Sequence, residues 1–458
     1  LIRTIGLLTL SFILSSCTRH AQNPVLVVPD QWAAKDTHYM NSNENLPCFA
    51  WWQQFKDPNL DSFIDRGLIY NNDINVAVAH IEAAQGELRR VQLNWIPDVT
   101  GNAGYSSFPY LGFPGVLLTV VPTYTLNIFK QIKEQQKAKY ELKATKAIYH
   151  GVRLAVISQI VSNYFNYLSQ IERLTLLQAL EQDLSKLITI AQTMYQGGLY
   201  ARTEIDLAKT ELSLIQAKER VVQQNIVVHE NALHYLLDEN PDKIFVSRRF
   251  KDLNGQKMII GALPINIIEN RPDMEQARQE LFAVNAGIGI AFAHLLPTIN
   301  LAMARGEIAK VENGGQLGQA IHFNQAIVEV PFLRASTYGQ LAKAKGLDKA
   351  SYYRYSDTLR KVLRDVTNDL SAHELYTNRL NDVLKAEREL TNAYRLNQTL
   401  YQRGIISHLS LIKEKVRLDE LAIDVNQHKL EQLITVVNLY QDLAAGYNYI
   451  PRCFNNKP

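Results

Sequence analysis

The phrase "YQGGL" at residues 195–199 returns as "YQRGI" at 401–405, 206 positions later. Asp73, Ala77, Ala83 and Pro97 likewise recur as Asp273, Ala277, Ala283 and Pro297 at an offset of 200, while Tyr195, Gln196, Gly198 and Leu212 match Tyr401, Gln402, Gly404 and Leu418 at 206. The chain is therefore two copies of one unit, with about six residues added inside the second. That duplication sets the architecture of the 458 residues ahead of any domain count taken from length.

The phrases interrupt runs that otherwise read as helix. Between Pro122 and Pro241, and again between Pro331 and Pro451, there is no proline. Gly197-Gly198 and Gly404 are the strong punctuation in each run. Residues 130–195 as one helix would reach about 100 Å at ~1.5 Å per residue. Leu177, Leu180, Leu184, Leu187, Ala191 and Met194 step by three and four, as in a coiled-coil seam. Ile157, Val161, Tyr164, Leu168 and Ile171 make an earlier seam, with a register break between the two. The apolar positions are wider than one seam, so each helix has two neighbours. The glycines mark where each long helix reverses, because glycine takes the left-handed conformation that ends a helix.

After Pro97 the period changes from helical to two, the strand signature. Val99, Gly101, Ala103 and Tyr105 alternate with Asp98, Thr100, Asn102 and Ser106; after the loop "FPYLGFPG", Tyr124, Leu126 and Ile128 alternate with Thr123, Thr125 and Asn127. The second copy repeats this after Pro297. Ile299, Leu301 and Met303 oppose Thr298, Asn300 and Ala302, then Ala326, Val328 and Val330 oppose Gln325, Ile327 and Glu329. The chain thus carries two hairpins, about 98–128 and 298–331. Each follows a helical stretch, Leu60 to Asn94 in the first copy, broken near "NND". Strands with one apolar and one polar face suit a transmembrane barrel wall or a half-exposed soluble hairpin.

The net charge of +3, from 48 Lys+Arg against 45 Asp+Glu, is no field of one sign and points to neither nucleic acid nor acidic lipid as main partner. Residues 1–16 read as a signal peptide, with Arg3 ahead of an apolar run too short to span a bilayer. Leu14-Ser15-Ser16-Cys17 resembles a lipobox, which makes Cys17 the lipidated mature N-terminus. An oxidising compartment would then allow a disulfide between Cys48 and Cys453, or leave two unpaired thiols. Residues 17–60, with "WWQQFKDPNLD" at 51–61, read as an extended segment laid over the rest. Repeat 1 follows over 61–250, with a helical hairpin about 130–240, and repeat 2 over 251–458, with its own about 335–445.

Four strands cannot close a barrel, and an open sheet edge is not tolerated in lipid. If the hairpins enter a membrane, several chains must share one barrel. Here the sequence resembles the TolC-like outer-membrane factors, specifically their OprM/NodT lipoprotein branch. The matching stretches are "WWQQFKDPNLD", "ALPINIIENRPDMEQA" at 262–277, "LLPTINL" at 295–301, "YQRGIISHLSLI" at 401–412 and the lipobox. Of these, Leu263-Pro264 with Arg271-Pro272-Asp273 is the most specific; Asp273 by itself also fits a helix N-cap.

The resemblance implies a mainly α fold with transmembrane β: a homotrimer sharing a twelve-stranded β-barrel in the outer membrane, continued by a periplasmic α-helical barrel. Its tips would dock on a membrane-fusion adaptor and an inner-membrane transporter, of the RND type. Gly198-Leu199 and Gly404-Ile405 look like the adaptor-contact turns, and Leu409 matches an apolar position that narrows the tunnel in relatives. Lys413 stands where relatives often carry an acid, so a gate of Leu409, Lys413, Glu204 and Asp206 has an open charge balance; Lys413 also reads as an ordinary solvated helix charge. In place of the family's "DLFGR" the chain has "NIFKQ" at 127–131. No catalytic, metal or cofactor constellation emerges: "HELYT" at 373–377 lacks a second zinc histidine, and "GIGIAF" at 287–292 lacks the last glycine of a dinucleotide loop. The expected function is a passive exit duct for small molecules such as drugs or toxic compounds. The alternatives are a type I protein-secretion duct, or a lipid-anchored coiled-coil scaffold with no pore.

Overall fold

The computed structural model describes residues 46–106, 115–255, 268, 270–312, 315–332 and 334–452. Helices α1 (Pro58–Tyr70) and α2 (Asn72–Leu93) precede strands β1 (Asp98–Ser106) and β2 (Gly115–Leu126). The long helix α3 (Ile128–Gln196) then turns back as α4 (Arg202–Leu236). The second copy runs α5 (Pro272–Ala293), β3 (Thr298–Glu312), β4 (Gly315–Glu329), α6 (Ala335–Gln402) and α7 (His408–Asp442). The helices α4 and α7 are both 35 residues long and start and end at the 206 offset. The two strand pairs differ instead, at 9 and 12 residues against 15 and 15, so the second copy has lengthened its hairpin. No helix among the described residues is long and apolar enough to cross a membrane, which says nothing of the strands.

Each of the chain's two compact units draws on both copies: one on Ala79–Ile148 and Asp273–Thr358, the other on Val28–Val78, Tyr149–Pro272 and Leu359–Pro458. The first unit holds the sheet. Its order is β1-β2-β3-β4, antiparallel throughout, so the hairpins of the two copies join through β2 and β3. Gly306 permits that joint: a Cβ there would lie 2.0 Å from the Leu118 carbonyl oxygen. Asn127 closes the strand-to-helix corner. Its amide donates to the Ala293 carbonyl at 3.1 Å and its oxygen caps α3 by accepting from the Lys130 N–H at 3.0 Å. Ile128, expected in the strand, is therefore the first residue of α3.

The second unit has an aromatic core. Trp51 is fully buried and stacks on Tyr440 at 4.8 Å, Trp52 meets Tyr449 edge-on, and Phe55 meets Phe165. Residues 51–55 form a 3-10 turn at the centre of this core, not an extended strap as their polar surroundings predict. Pro58 is the first residue of α1, where its missing N–H costs nothing, and Asp57 caps that helix. Asn71 explains the break at "NND": its side chain accepts from the N–H groups of Asp73 and Ile74 to start α2, and its amide donates to the Leu236 carbonyl that ends α4. Asp273 lies inside the first turn of α5, because Pro272 already begins the helix. The seams on α3 are buried as spaced, except Met194, which is half-buried, and Ile171, which falls at the register break and is exposed.

Candidate functional site

The helical turns and the sheet carry the residues that matter. At the end of α3, the Leu199 N–H donates to the Met194 carbonyl at 2.8 Å and the Gly198 N–H to that of Tyr195 at 2.9 Å. At the end of α6, Ile405 and Gly404 donate to Leu400 and Tyr401 at 2.9 and 2.8 Å. Both are the double-bonded left-handed helix end, with Gly198 at φ +75° and Gly404 at φ +71°. The residue after each glycine usually folds back on its own helix. Here Leu199 and Ile405 point away, at 75% and 65% exposure, so each copy presents one unburied aliphatic side chain on a rigid turn.

Just beyond the turns, α3, α4 and α7 share an apolar cluster of Leu177, Leu180, Leu184, Ile215, Val222, Ile412 and Val416, and Leu409 packs half-buried against it. Lys413 reaches from α7 toward α4: its Nζ is 3.7 Å from the Glu204 carboxylate and 5.4 Å from the Tyr200 ring. Tyr200, and then Glu204, raise its pKa. Lys413 is thus a tether between the two copies and not a lone solvated charge. Glu204 also accepts from the Tyr200 hydroxyl at 3.3 Å, and Asp206 faces Arg202 at 3.9 Å, so both acids have a cation beside them. These four side chains are about half exposed or more, which keeps each pair weak, roughly 1 kcal/mol or less.

Deeper between the helices, Lys415 bridges Asp183 on α3, at 3.3 Å, and Asp419 on α7. Both carboxylates are buried. Burial raises the Asp419 carboxyl, whereas Asp183, against the same burial, is held down by Lys186 and Lys415. Near the other end of α7, Asp369 on α6 faces Asp442, which Arg271 approaches at 3.5 Å. Burial and then the neighbouring Asp442 push Asp369 up to about 7.

The sheet sorts its residues by face. Register places Val99, Ala103 and Tyr105 of β1 beside Pro122, Leu118 and Val116 of β2, then Tyr124 and Leu126 beside Leu301 and Ile299 of β3, then Ile299 and Leu301 beside Val328 and Ala326 of β4. The apolar faces of all four strands coincide. The opposite face carries Asp98, Thr100, Asn102, Thr119, Thr123, Thr125, Asn300 and Gln325. The apolar face is open, with Val99 and Leu118 above 60% exposed. In this chain the outer edges of β1 and β4 pair with no strand among the described residues.

Sequence reasoning missed a further feature. On α4, Leu207, Leu214, Val221, Val228 and Tyr235 recur every seven residues, and all are exposed, between 47% and 73%. Scanning α4 for seven-residue spacing alone would have found them. Of the remaining expected sites, Cys48 is an exposed free thiol, and Cys17 and Cys453 lie outside the described residues. No group of three or more metal-binding side chains occurs among the described residues.

A duplicated chain with one amphipathic, open-edged four-stranded sheet and paired long helical hairpins has the fold of outer-membrane channels. The family model for outer membrane efflux proteins matches residues 63–238 and 263–445, one segment per copy, and the chain belongs to that family. This bears out the resemblance seen in "RPD", "LLPTINL" and "YQRGI". The chain is 23% identical over 467 aligned residues to the toluene efflux pump outer membrane protein TtgC of Pseudomonas putida, covering 97% of this chain and 95% of that one. It is 24% identical to nodulation protein T of Rhizobium leguminosarum bv. trifolii, over 90% and 91% of the two chains. The open state of the Neisseria gonorrhoeae MtrE outer membrane channel superposes with a TM-score of 0.80 at 20% identity, over 94% of this chain and 98% of that one. At that identity the structural likeness is one of fold.

Proposed function

We propose that this chain is the outer-membrane exit duct of a tripartite efflux pump, passively passing small toxic compounds from the periplasm to the outside. The observation that carries the reading is the sheet: four strands whose apolar positions gather on one face, with two open edges. Unpaired backbone groups at such edges cost several kcal/mol each in lipid, so copies of the chain must complete one another's edges. Three copies would close a twelve-stranded barrel. The stripe on α4 supports the same assembly, because an apolar side chain exposed at every seventh position lies along one helix face and is open to a partner helix. A scaffold without a pore has no use for the sheet's apolar face and open edges.

In this assembly Cys17 carries the lipid anchor. Leu199 and Ile405 are the anchors for a periplasmic membrane-fusion adaptor, which links the duct to an inner-membrane transporter, of the RND type. Leu409 narrows the passage, with the Lys413–Glu204 and Arg202–Asp206 pairs around it. Energy comes from the transporter, so the duct needs no catalytic residue. Single-channel recording of the purified trimer in planar bilayers tests this, comparing wild type with Leu409→Ala. Stepwise pores that widen in the variant are expected. A confirmed trimer that inserts and conducts identically in both forms would remove Leu409 from the gate, and failure to form membrane-inserted trimers would remove the duct.

A further inference from the structure

A polar patch interrupts the apolar face of the sheet at one place. On β3, Ile299, Leu301 and Met303 lead to Arg305 and Glu307; on β4, their partners Val328 and Ala326 give way to Asn324 and His322. Arg305 lies directly opposite His322, and Met303 opposite Asn324. The neighbouring strand makes no such switch, for Val120 and Leu118, which pair with Arg305 and Glu307, are apolar and exposed. At the level where β3 and β4 turn polar β2 stays apolar, so the patch is confined to these two strands. Arg305, Glu307, His322 and Asn324 are all exposed. Arg305 Nη1 donates to the Ala304 and Phe323 carbonyls at 3.0 and 3.2 Å, which lays the guanidinium along the sheet. Among the described residues Arg305, Glu307 and His322 have no ion-pair partner.

Resting on the reading of the sheet as a membrane wall, we propose that Arg305, His322, Asn324 and Glu307 bind the headgroup of a phospholipid that carries both a phosphate and a primary amine. An arginine facing hydrocarbon is unfavourable toward the bilayer centre and is relieved by a headgroup phosphate. The planar guanidinium offers paired donors to phosphate oxygens, and the amide of Asn324 and the imidazole of His322 add donors beside it. Glu307 stands two residues further along β3, about 7 Å away at the usual strand rise, on the same face. That separation places a carboxylate to accept from an ammonium tethered to the phosphate by a short linker. Val120, Leu118 and Met303 form the apolar wall against which the acyl chains lie.

The test reconstitutes the full-length trimer in nanodiscs of mixed phosphatidylethanolamine, phosphatidylglycerol and phosphatidylcholine and counts retained lipids by native mass spectrometry. Wild type is expected to retain phosphatidylethanolamine over the other two by about tenfold, the size of one charge-assisted hydrogen bond. Arg305→Gln should lose retention of every phospholipid at this site, and Arg305→Lys should recover part of it. Glu307→Gln should keep the lipid but lose the preference for phosphatidylethanolamine over phosphatidylglycerol. Equal retention in Arg305→Gln and wild type overturns the site, and an unchanged preference in Glu307→Gln overturns the amine. Absence of membrane-inserted trimer would instead count against the duct itself, which separates the two failures.

Discussion

Replacing Asp369 by asparagine should abolish a pH response expected of the wild-type chain between pH 6 and 8. Asp369 on α6 faces Asp442 at the end of α7, with Asp365 adding negative charge and Arg271 beside Asp442 offsetting it. Burial comes first and the second carboxylate next in pushing Asp369 to about 7, so the pair shares a proton at acidic pH. The sign follows from linkage. A carboxyl whose folded pKa is raised binds its proton more tightly folded than unfolded, so its contribution is present at low pH and is lost as pH rises through about 7. With an unfolded pKa near 4, the loss from pH 6 to 8 integrates to one full unit, about 1.4 kcal/mol or tenfold. Hydrogen exchange of the detergent-solubilised trimer reads this locally: protection of α6 around 365–370 and of α7 around 438–442, corrected for intrinsic rates, should fall about tenfold in wild type over that range. Asp369→Asn keeps a hydrogen-bonding partner for Asp442 but cannot ionise, so its protection should be flat. Parallel pH profiles in the two proteins would refute the shared proton.

Lys415→Met should cost about 3–5 kcal/mol in denaturant unfolding, because Asp419 would be left buried with no cation. Adding Asp183→Asn and Asp419→Asn to it should recover most of the loss, and a single variant as stable as wild type would show the triad to be hydrated and loose. Lys413→Glu should leave folding nearly intact, since the pair it breaks is half exposed. In bilayers under a KCl gradient its reversal potential should move toward cations; an unmoved potential would place Lys413 off the conduction path.

What the sequence made legible was whatever a single short-range rule dictates. Gly198 and Gly404 were readable because a left-handed residue ends a helix almost regardless of context. The hairpins were readable because alternation has no helical interpretation over Asp98–Ser106 or Thr298–Met303. The start of β2 at Gly115 was hidden, since "GVLLTVV" is apolar on both faces and carries no period. Trp51 and Trp52 looked like part of a strap because their burial is supplied by Tyr440 and Tyr449, almost 400 residues away in the chain. The partnership of Lys413 with Glu204 belongs to the same class: it depends on how two hairpins pack, which no spacing within either one encodes.

The duplication shows how one helix face came to serve two purposes. At the offset of 206, the α4 stripe Leu207, Leu214, Val221, Val228 and Tyr235 corresponds on α7 to Lys413, Glu420, Gln427, Ile434 and Gln441. The backbones match, since the helices have equal length and identical turns before them, so the difference lies in the side chains alone. In the first copy the face is left apolar and uncovered, as a seam awaiting another chain requires. In the second it is largely polar, and its first member reaches across to Glu204 of the first copy. A sequence of two identical units would expose the same seam twice and could not distinguish the contact between chains from the contact within one. In the proposed trimer, divergence along this one face would remove that ambiguity: α4 would be free to join neighbours, while α7 fastens the two hairpins of its own chain.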